Sequence, residues 1–334
     1  MKFLGTLLLL GLVLAAVAAF FIYYPVGPAQ GTPDSSAVFV DIAPGTSTHT
    51  IAAKLEQARV IRSRYAFELL RLVKGGRLVA GEYRFNHPAP ATEVYSRLNR
   101  GDVYSIAITI PEGYNIFDIA QTIAAAGISN RDTLLAAERS ETGLISDLSP
   151  HASSLEGFLF PDTYKFTRHS TPIQIFTAMV HRFRQVSAQL NLSNSGRSVA
   201  ETVTLASLVE KEVAQPSERP VVAGVFVNRL SHDIPLATDP SVIYAALLEN
   251  RYRGTIYQSD LQAPSPYNTY RHAGLPPGPI CNPGVAALKA AIAPAQTEYL
   301  YFVADAQGHS RFSATLEEHA KQVQEYRRAL HDAH

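Results

Sequence analysis

The hydrophobic pattern of the chain begins with one long apolar run. Phe3 to Tyr24 spans 22 residues without a charged side chain, which is long enough to cross a bilayer as a helix. Ala16-Val17-Ala18 resembles the small-residue site of a cleaved signal peptide, which is the alternative. We favour a membrane anchor over residues 1–24, because the apolar character continues past that site into Tyr23 and Tyr24, a pair typical of a membrane interface.

The next segments predict a tether and a small α+β subdomain. Residues 25–37 are rich in Pro, Gly and Ser and show no periodicity, as expected of a linker. Residues 38–108 predict strand, helix, helix and strand, with the second helix at Arg64–Val73 and the second strand at Ala80–Phe85. This order is that of a carbohydrate-binding module of the LysM type. A scaffold of the same order without a ligand is the alternative.

A weak internal repeat predicts a second, similar subdomain at residues 109–154. Ile42-Ala43-Pro44-Gly45 and Ile110-Pro111-Glu112-Gly113 lie 68 residues apart, and each precedes apolar residues at helical spacing. A loop-rich stretch over residues 140–154 then separates this region from a third domain, residues 155–334.

The third domain is predicted to be mainly helical with mixed α/β character, which makes the whole chain α+β. Thr171-Pro172 has the order of an N-cap and first helical residue, and the helix is expected to run to Leu190. A further helix is predicted over Val221–Leu230. The first of these helices is expected to bury Ile173, Phe176, Met179, Val180 and Phe183.

The run ASLVEKE places Glu212 on the apolar face of another helix. At about 100° per residue, Leu205, Leu208, Val209 and Val213 share that face with Glu212, whereas Glu210 and Lys211 point elsewhere. A carboxyl group directed into apolar packing tends to keep its proton, as a general acid must. A solvated last turn or a structural ion pair is the alternative interpretation.

Composition narrows the range of functions. The 29 basic residues balance the 29 acidic ones, so net charge gives no support to binding of nucleic acid. Cys281 is the single cysteine, so no intrachain disulfide can form. The sequence contains no two-histidine metal motif, no Gly-Lys phosphate loop and no Gly-x-Ser-x-Gly elbow. We therefore expect neither a metal nor another cofactor.

What remains is acidic residues beside side chains suited to sugars. Tyr and Asn offer apolar faces, donors and acceptors for ring hydroxyl and acetamido groups. Asp239 also suits a helix N-cap, and Asn268 also suits a turn. Residues 155–166 predict a strand interrupted at Pro161, with Glu156 at the rim of a cleft. The candidate residues for binding substrate are Glu156, Glu218, Asn228, Asp239, Tyr267 and Asn268.

Several of these runs together resemble the MltG (YceG-like) family of membrane-anchored endolytic murein transglycosylases. The runs are LEGFLFPDTY, ASLVEKE, SERPVVAGVFVNRL, LATDPSVIYA, SPYNTYRHAGLPPGPICNPG, YLYFVADAQG and FSATLEEH. In that family the second Glu of the EKE run is catalytic, which matches Glu212. Phe and Tyr replace the Trp of some members in the first run, and Cys281 occupies a small-residue position.

The resemblance implies cleavage of the β-1,4 bond between N-acetylmuramic acid and N-acetylglucosamine, with a 1,6-anhydro end as product. It implies a single span in the inner membrane, a catalytic domain on the periplasmic side, and peptidoglycan strands as substrate, with peptidoglycan synthases as further candidate partners. Two alternatives stay open. One is a hydrolase in which Glu156 or Asp239 activates water, and the other is an anchored scaffold that binds glycan without cleaving it.

Overall fold

The computed structural model describes residues 2–27, 37–213, 215–305 and 307–332. The chain forms two compact units, residues 1–106 and 107–334. Most of the predicted tether lies outside the described residues. The elements of the first unit are α1 (Lys2–Tyr23), β1 (Val38–Ile42), α2 (Thr48–Gln57), α3 (Arg64–Lys74), β2 (Gly81–Phe85) and α4 (Ala91–Arg100).

Helix α1 confirms the predicted apolar helix. Within the described residues, Gly5–Tyr23 is one segment long and apolar enough to cross a membrane, with a mean hydropathy of 2.6. None of the residues of its most apolar window is fully buried by the rest of the protein, so α1 is a candidate membrane anchor.

The predicted order of strand, helix, helix and strand is confirmed over β1, α2, α3 and β2. The two strands pair antiparallel, with Val40 opposite Tyr83. The side chains of Ser47 and Ser63 cap the two helices by accepting backbone N–H groups. The core between strands and helices includes Ile42, Leu55 and Phe67.

The second unit is mostly helical. Its strands form two-stranded sheets, β3 with β4 and β5 with β6. Its elements are β3 (Ile106–Thr109, at the boundary), α5 (Ile116–Ala125), α6 (Arg131–Ser140), β4 (Thr163–Phe166), α7 (Pro172–Leu190), α8 (Val199–Glu212), α9 (Arg219–Ser231), α10 (Asp239–Leu248), α11 (Gln258–Leu261), α12 (Val285–Ile292), β5 (Tyr301–Ala304), β6 (Ser310–Ser313) and α13 (Leu316–Asp332).

The predicted second subdomain and third domain lie within this one unit. Strand β4 pairs with β3 across the boundary predicted at residue 154, because the chain returns to the sheet after α6. The strand predicted over residues 155–166 is confirmed only at Thr163–Phe166. Residues 155–160 are buried without alternation and form no strand.

The predicted start of α7 is confirmed, with Thr171 as N-cap and Pro172 as first helical residue. The prediction that Ile173 is buried is wrong, because this side chain is 38% exposed and Ile175 takes the inward position. A capping box over Thr171 and Gln174 explains the start of the helix.

Candidate active site

Glu212 is the last residue of α8. The helix begins with a capping box in which the Ser198 hydroxyl accepts the Glu201 N–H and the Glu201 carboxylate accepts the Ser198 N–H. It packs against α9, α10 and α12. The side chains predicted to share the apolar face with Glu212 are all buried: Leu205, Leu208, Val209 and Val213.

Glu212 faces a polar cavity of about 330 Å³. The walls come from α8, α9, the loop before α10, the loop after α11, β5 and α13, which are distant from one another in the sequence. The lining residues are Glu212, Arg229, Leu236, Ala237, Thr238, Asp239, Tyr270, Tyr301, Phe302 and His319. A cavity of this volume is large enough to admit part of a glycan strand.

The cavity holds Glu212 partly protonated at neutral pH. Burial and, to a smaller extent, the nearby negative charge of Asp239 raise the pKa of Glu212 to about 7, although Arg229 acts to lower it. Within the part of the chain that the structure describes, no hydrogen bond occupies the Glu212 carboxyl oxygens. This carboxyl group is therefore placed to donate a proton near pH 7 and to take one back.

Asp239 and Tyr270 form a hydrogen-bonded pair on one wall. The Tyr270 hydroxyl donates to Asp239 Oδ1 over 2.7 Å. The alternative interpretation of Asp239 as a helix N-cap is wrong, because Asp239 is the first residue of α10 and Thr238 is the N-cap. Asp239 is exposed to solvent, so its carboxylate is open to the cavity.

Arg229, Tyr301 and His319 form another part of the cavity lining. Two backbone carbonyl groups fix the guanidinium, since Arg229 donates from Nε to Leu300 O over 2.8 Å and from Nη1 to Leu236 O over 2.7 Å. The guanidinium lies over the Tyr301 ring at 5.2 Å, and Tyr301 stacks on His319 at 5.3 Å. Burial and the charge of Arg229 lower the pKa of His319, so this ring is neutral at pH 7.

Glu210 has a supporting position. It forms an ion pair with Arg219 over 2.6 Å and accepts the Gly284 N–H over 3.0 Å. Both charged side chains are less than a tenth exposed. Glu210 therefore ties the last turn of α8 to α9, two residues before Glu212.

Glu156 is not at the rim of a cleft, and that prediction is wrong. The residue is 1% exposed, and its carboxyl group accepts the Ile116 N–H and the Asn282 amide over 2.9 and 2.8 Å. Burial raises its pKa to about 8. Glu156 organises the interior instead of lining the Glu212 cavity.

Two more candidates bind the protein's own backbone. Glu218 accepts the Ser310 N–H over 3.0 Å and lies 3.3 Å from His309 Nδ1. Asn228 donates to Thr297 O and to Tyr299 O. Neither side chain is among those that line the cavity, so both position the segments around β5 and β6.

Tyr267 and Asn268 also lie outside the cavity lining. Asn268 is fully buried and donates to the carbonyl groups of Leu261 and Ala263, in agreement with the turn-forming alternative. Tyr267 packs its ring against Tyr244 at 5.1 Å. Of the predicted binding residues, Asp239 alone lines the cavity with Glu212.

Sequence reasoning singled out neither Tyr301 nor His319 among the side chains that line the cavity. Both lie within runs that carry the family resemblance, YLYFVADAQG and FSATLEEH. Membership of these runs was the signal by which the two residues could have been found. Among the described residues, no group of three or more His, Cys, Asp or Glu side chains is arranged to hold a metal ion.

Fold and site together define an α+β protein with an apolar N-terminal helix and one partly protonated glutamate in a polar cavity. The YceG-like family model matches residues 40–325, and the chain belongs to this family.

The chain is also similar to individual relatives. It is 34% identical over 310 residues to the endolytic murein transglycosylase of Bacillus subtilis, covering 87% of this chain and 85% of that one. It is 29% identical over 320 residues to the endolytic murein transglycosylase of Streptococcus pneumoniae serotype 2, covering 86% of this chain and 58% of the relative. A crystal structure of a yceG-like protein from Listeria monocytogenes matches with a TM-score of 0.58 and 33% identity, over 85% of this chain and 98% of that one.

Proposed function

We propose that the chain is an endolytic murein transglycosylase with Glu212 as its catalytic residue. The observation that carries the proposal is the position of Glu212, a carboxyl group with a pKa of about 7 facing a polar cavity. The relatives named endolytic murein transglycosylase support the substrate class.

In the proposed reaction, Glu212 first donates one proton and then accepts a different one. Its carboxyl group protonates the oxygen that joins N-acetylmuramic acid to N-acetylglucosamine, and the bond from that oxygen to C1 breaks. The resulting carboxylate then takes the proton of the muramic acid C6 hydroxyl as O6 bonds to C1. The first proton stays on the released N-acetylglucosamine hydroxyl, Glu212 is protonated again by the C6 hydroxyl proton, no water is consumed, and the product ends in a 1,6-anhydro ring. The second carboxylate of an ordinary glycosidase is not required.

The hydrolase alternative now depends on Asp239, because Glu156 is buried away from the cavity. We expect muropeptides released by the full chain to carry 1,6-anhydromuramic acid ends. Mass spectrometry separates the two reactions, since hydrolysis leaves a reducing end that is heavier by one water. Reducing ends as the main product would refute the transglycosylase and favour Asp239 as a base for water.

The charge of Asp239 provides a test of the proton donor. Asp239→Asn removes a negative charge that raises the pKa of Glu212. Glu212 should therefore lose its proton at a lower pH in this variant. The alkaline limb of kcat/KM is expected to shift down by up to about one pH unit. Tyr270→Phe is the matched control, because it removes the hydrogen bond to Asp239 and keeps the charge. An unmoved limb in Asp239→Asn would show that Glu212 is not the titrating acid.

We also propose that α1 anchors the chain in the inner membrane with the catalytic unit on the periplasmic side. The single Lys2 before the apolar run favours this orientation. The strand, helix, helix and strand of the first unit are proposed to bind glycan as a LysM-type module, and a peptidoglycan synthase is a proposed partner. Protease added to spheroplasts should digest the catalytic unit. Complete protection of this unit in intact spheroplasts would show that the orientation is the opposite one.

A further inference from the structure

Helix α3 exposes a second apolar face. Its inner face, which includes Phe67 and Leu70, is buried in the core of the first unit. The outward side chains are Tyr65 at 65%, Leu69 at 45%, Leu72 at 81% and Val73 at 76% exposure. They follow the spacing i, i+4, i+7 and i+8, so they form one stripe along the helix. We refer to these four residues as the α3 stripe.

The α3 stripe belongs to the element that holds the end of the apolar helix α1. Just before α3, the Arg62 guanidinium lies 5.3 Å from the Phe20 ring and 4.7 Å from the Tyr24 ring. Its Nη2 also donates to Pro25 O. Helix α1 packs against α3 and α4. The stripe is therefore close to the level at which α1 would leave a membrane.

Further contacts fix this end of α1 to the first unit. Ile22 packs against the core. The backbones of Val26 and Ala89 exchange hydrogen bonds of 3.3 and 3.0 Å. A span attached in this way leaves the first unit little freedom to turn the α3 stripe away from the bilayer surface.

The charges around the stripe match a lipid surface. Helix α3 carries Arg71 and Lys74, and Arg77 follows it, whereas Arg64 at its start pairs with Glu56 over 3.7 Å. Its single acidic side chain, Glu68, is paired with His49 over 2.8 Å. Apolar side chains flanked by Lys and Arg are the pattern of a helix that lies in a membrane interface, where cations meet headgroup phosphates.

We propose that the α3 stripe inserts into the interfacial region of the membrane leaflet from which α1 emerges. The occupant of this apolar face is lipid, and α3 lies along the surface while α1 crosses the bilayer. The inference rests on α1 being retained as a membrane span and is independent of the transglycosylase reaction.

The chain contains no tryptophan, so one introduced tryptophan reports on its own surroundings. Leu72→Trp and, separately, Val73→Trp are made in the full chain and placed in phospholipid vesicles. The lipids are either unmodified or brominated near the headgroup end of the acyl chains, because bromine quenches tryptophan on contact. Asp41→Trp is the control, since Asp41 is on the exposed face of β1, on the other side of the core from α3.

We expect blue-shifted emission at both stripe positions, quenched roughly twofold or more by brominated lipid, as for a side chain buried about 5–10 Å into the interface. The control should stay unquenched, with emission typical of water. Emission typical of water at both stripe positions would overturn the proposal. Blue-shifted emission without quenching would also overturn it, because a second copy or another protein would then cover the stripe.

Discussion

Glu212→Gln is expected to lower glycan cleavage by at least about 10³-fold, because one side chain supplies both proton transfers of the proposed reaction. The amide has nearly the shape of the protonated carboxyl group, but it can neither release nor accept a proton. The check is the rate of release of 1,6-anhydro ends from purified peptidoglycan strands, measured for equal amounts of folded protein.

Stability measurements distinguish lost catalysis from lost folding. The pKa of Glu212 is raised to about 7 in the folded protein, above the value of about 4.3 in an unfolded chain. The contribution of this group to stability is thus fully present below about pH 4.3 and is lost as the pH rises through about 7. Because Gln does not titrate, the urea midpoint of the Glu212→Gln variant should equal that of the original chain at pH 4 and exceed it at pH 8.

Glu201→Gln is the matched control on the same helix. Glu201 is exposed and its N-terminal capping role tolerates an amide, so activity should stay within about twofold. If Glu212→Gln keeps more than about a tenth of the activity, Glu212 is not the catalytic residue and a different group must donate the proton.

Local patterns predicted elements whose formation depends on near neighbours in the sequence. The start of α7 follows from Thr171 and Pro172. The burial that raises the pKa of Glu212 was expected from its helical spacing with Leu208 and Val209. The expectation of a single buried face is wrong, because α8 is buried on every side over residues 202–209 and the Glu210 side chain is only 5% exposed. Each inference needed only residues within one or two helical turns.

Local patterns could not predict contacts between residues that lie far apart in the sequence. Asn282 donates to Glu156 across 126 positions, which is why Glu156 is interior and not at a cleft. The cavity lining also combines residues of α9, β5 and α13, and no local periodicity places Arg229 beside Tyr301 or His319. The long motifs of the family contain these residues but do not say which of them face the cavity.

Arg219→Met is expected to destabilise the protein by about 3–5 kcal/mol, since it leaves the buried Glu210 carboxylate without its partner. Burial already raises the pKa of Glu210 despite Arg219 and the Gly284 N–H, so the unpaired group should hold its proton more tightly still. In the variant, the pKa of Glu210 in the folded state lies further above its value in the unfolded chain. The variant therefore loses stability relative to the original chain as the pH rises. The deficit in urea unfolding should therefore be larger at pH 8 than at pH 5.

The same substitution tests how Glu212 is held in place. Glu210 joins the end of α8 to Arg219 at the start of α9, so loosening this pair should lower kcat in the fraction of protein that stays folded. Arg311→Met is the control, because Arg311 and Glu325 form an exposed pair at 2.7 Å and such pairs contribute at most about 1 kcal/mol. If Arg219→Met lowers the free energy of unfolding by no more than Arg311→Met does, the buried pair does not secure the end of α8. Glu212 must then be held by the packing of α8 against α9, α10 and α12 alone.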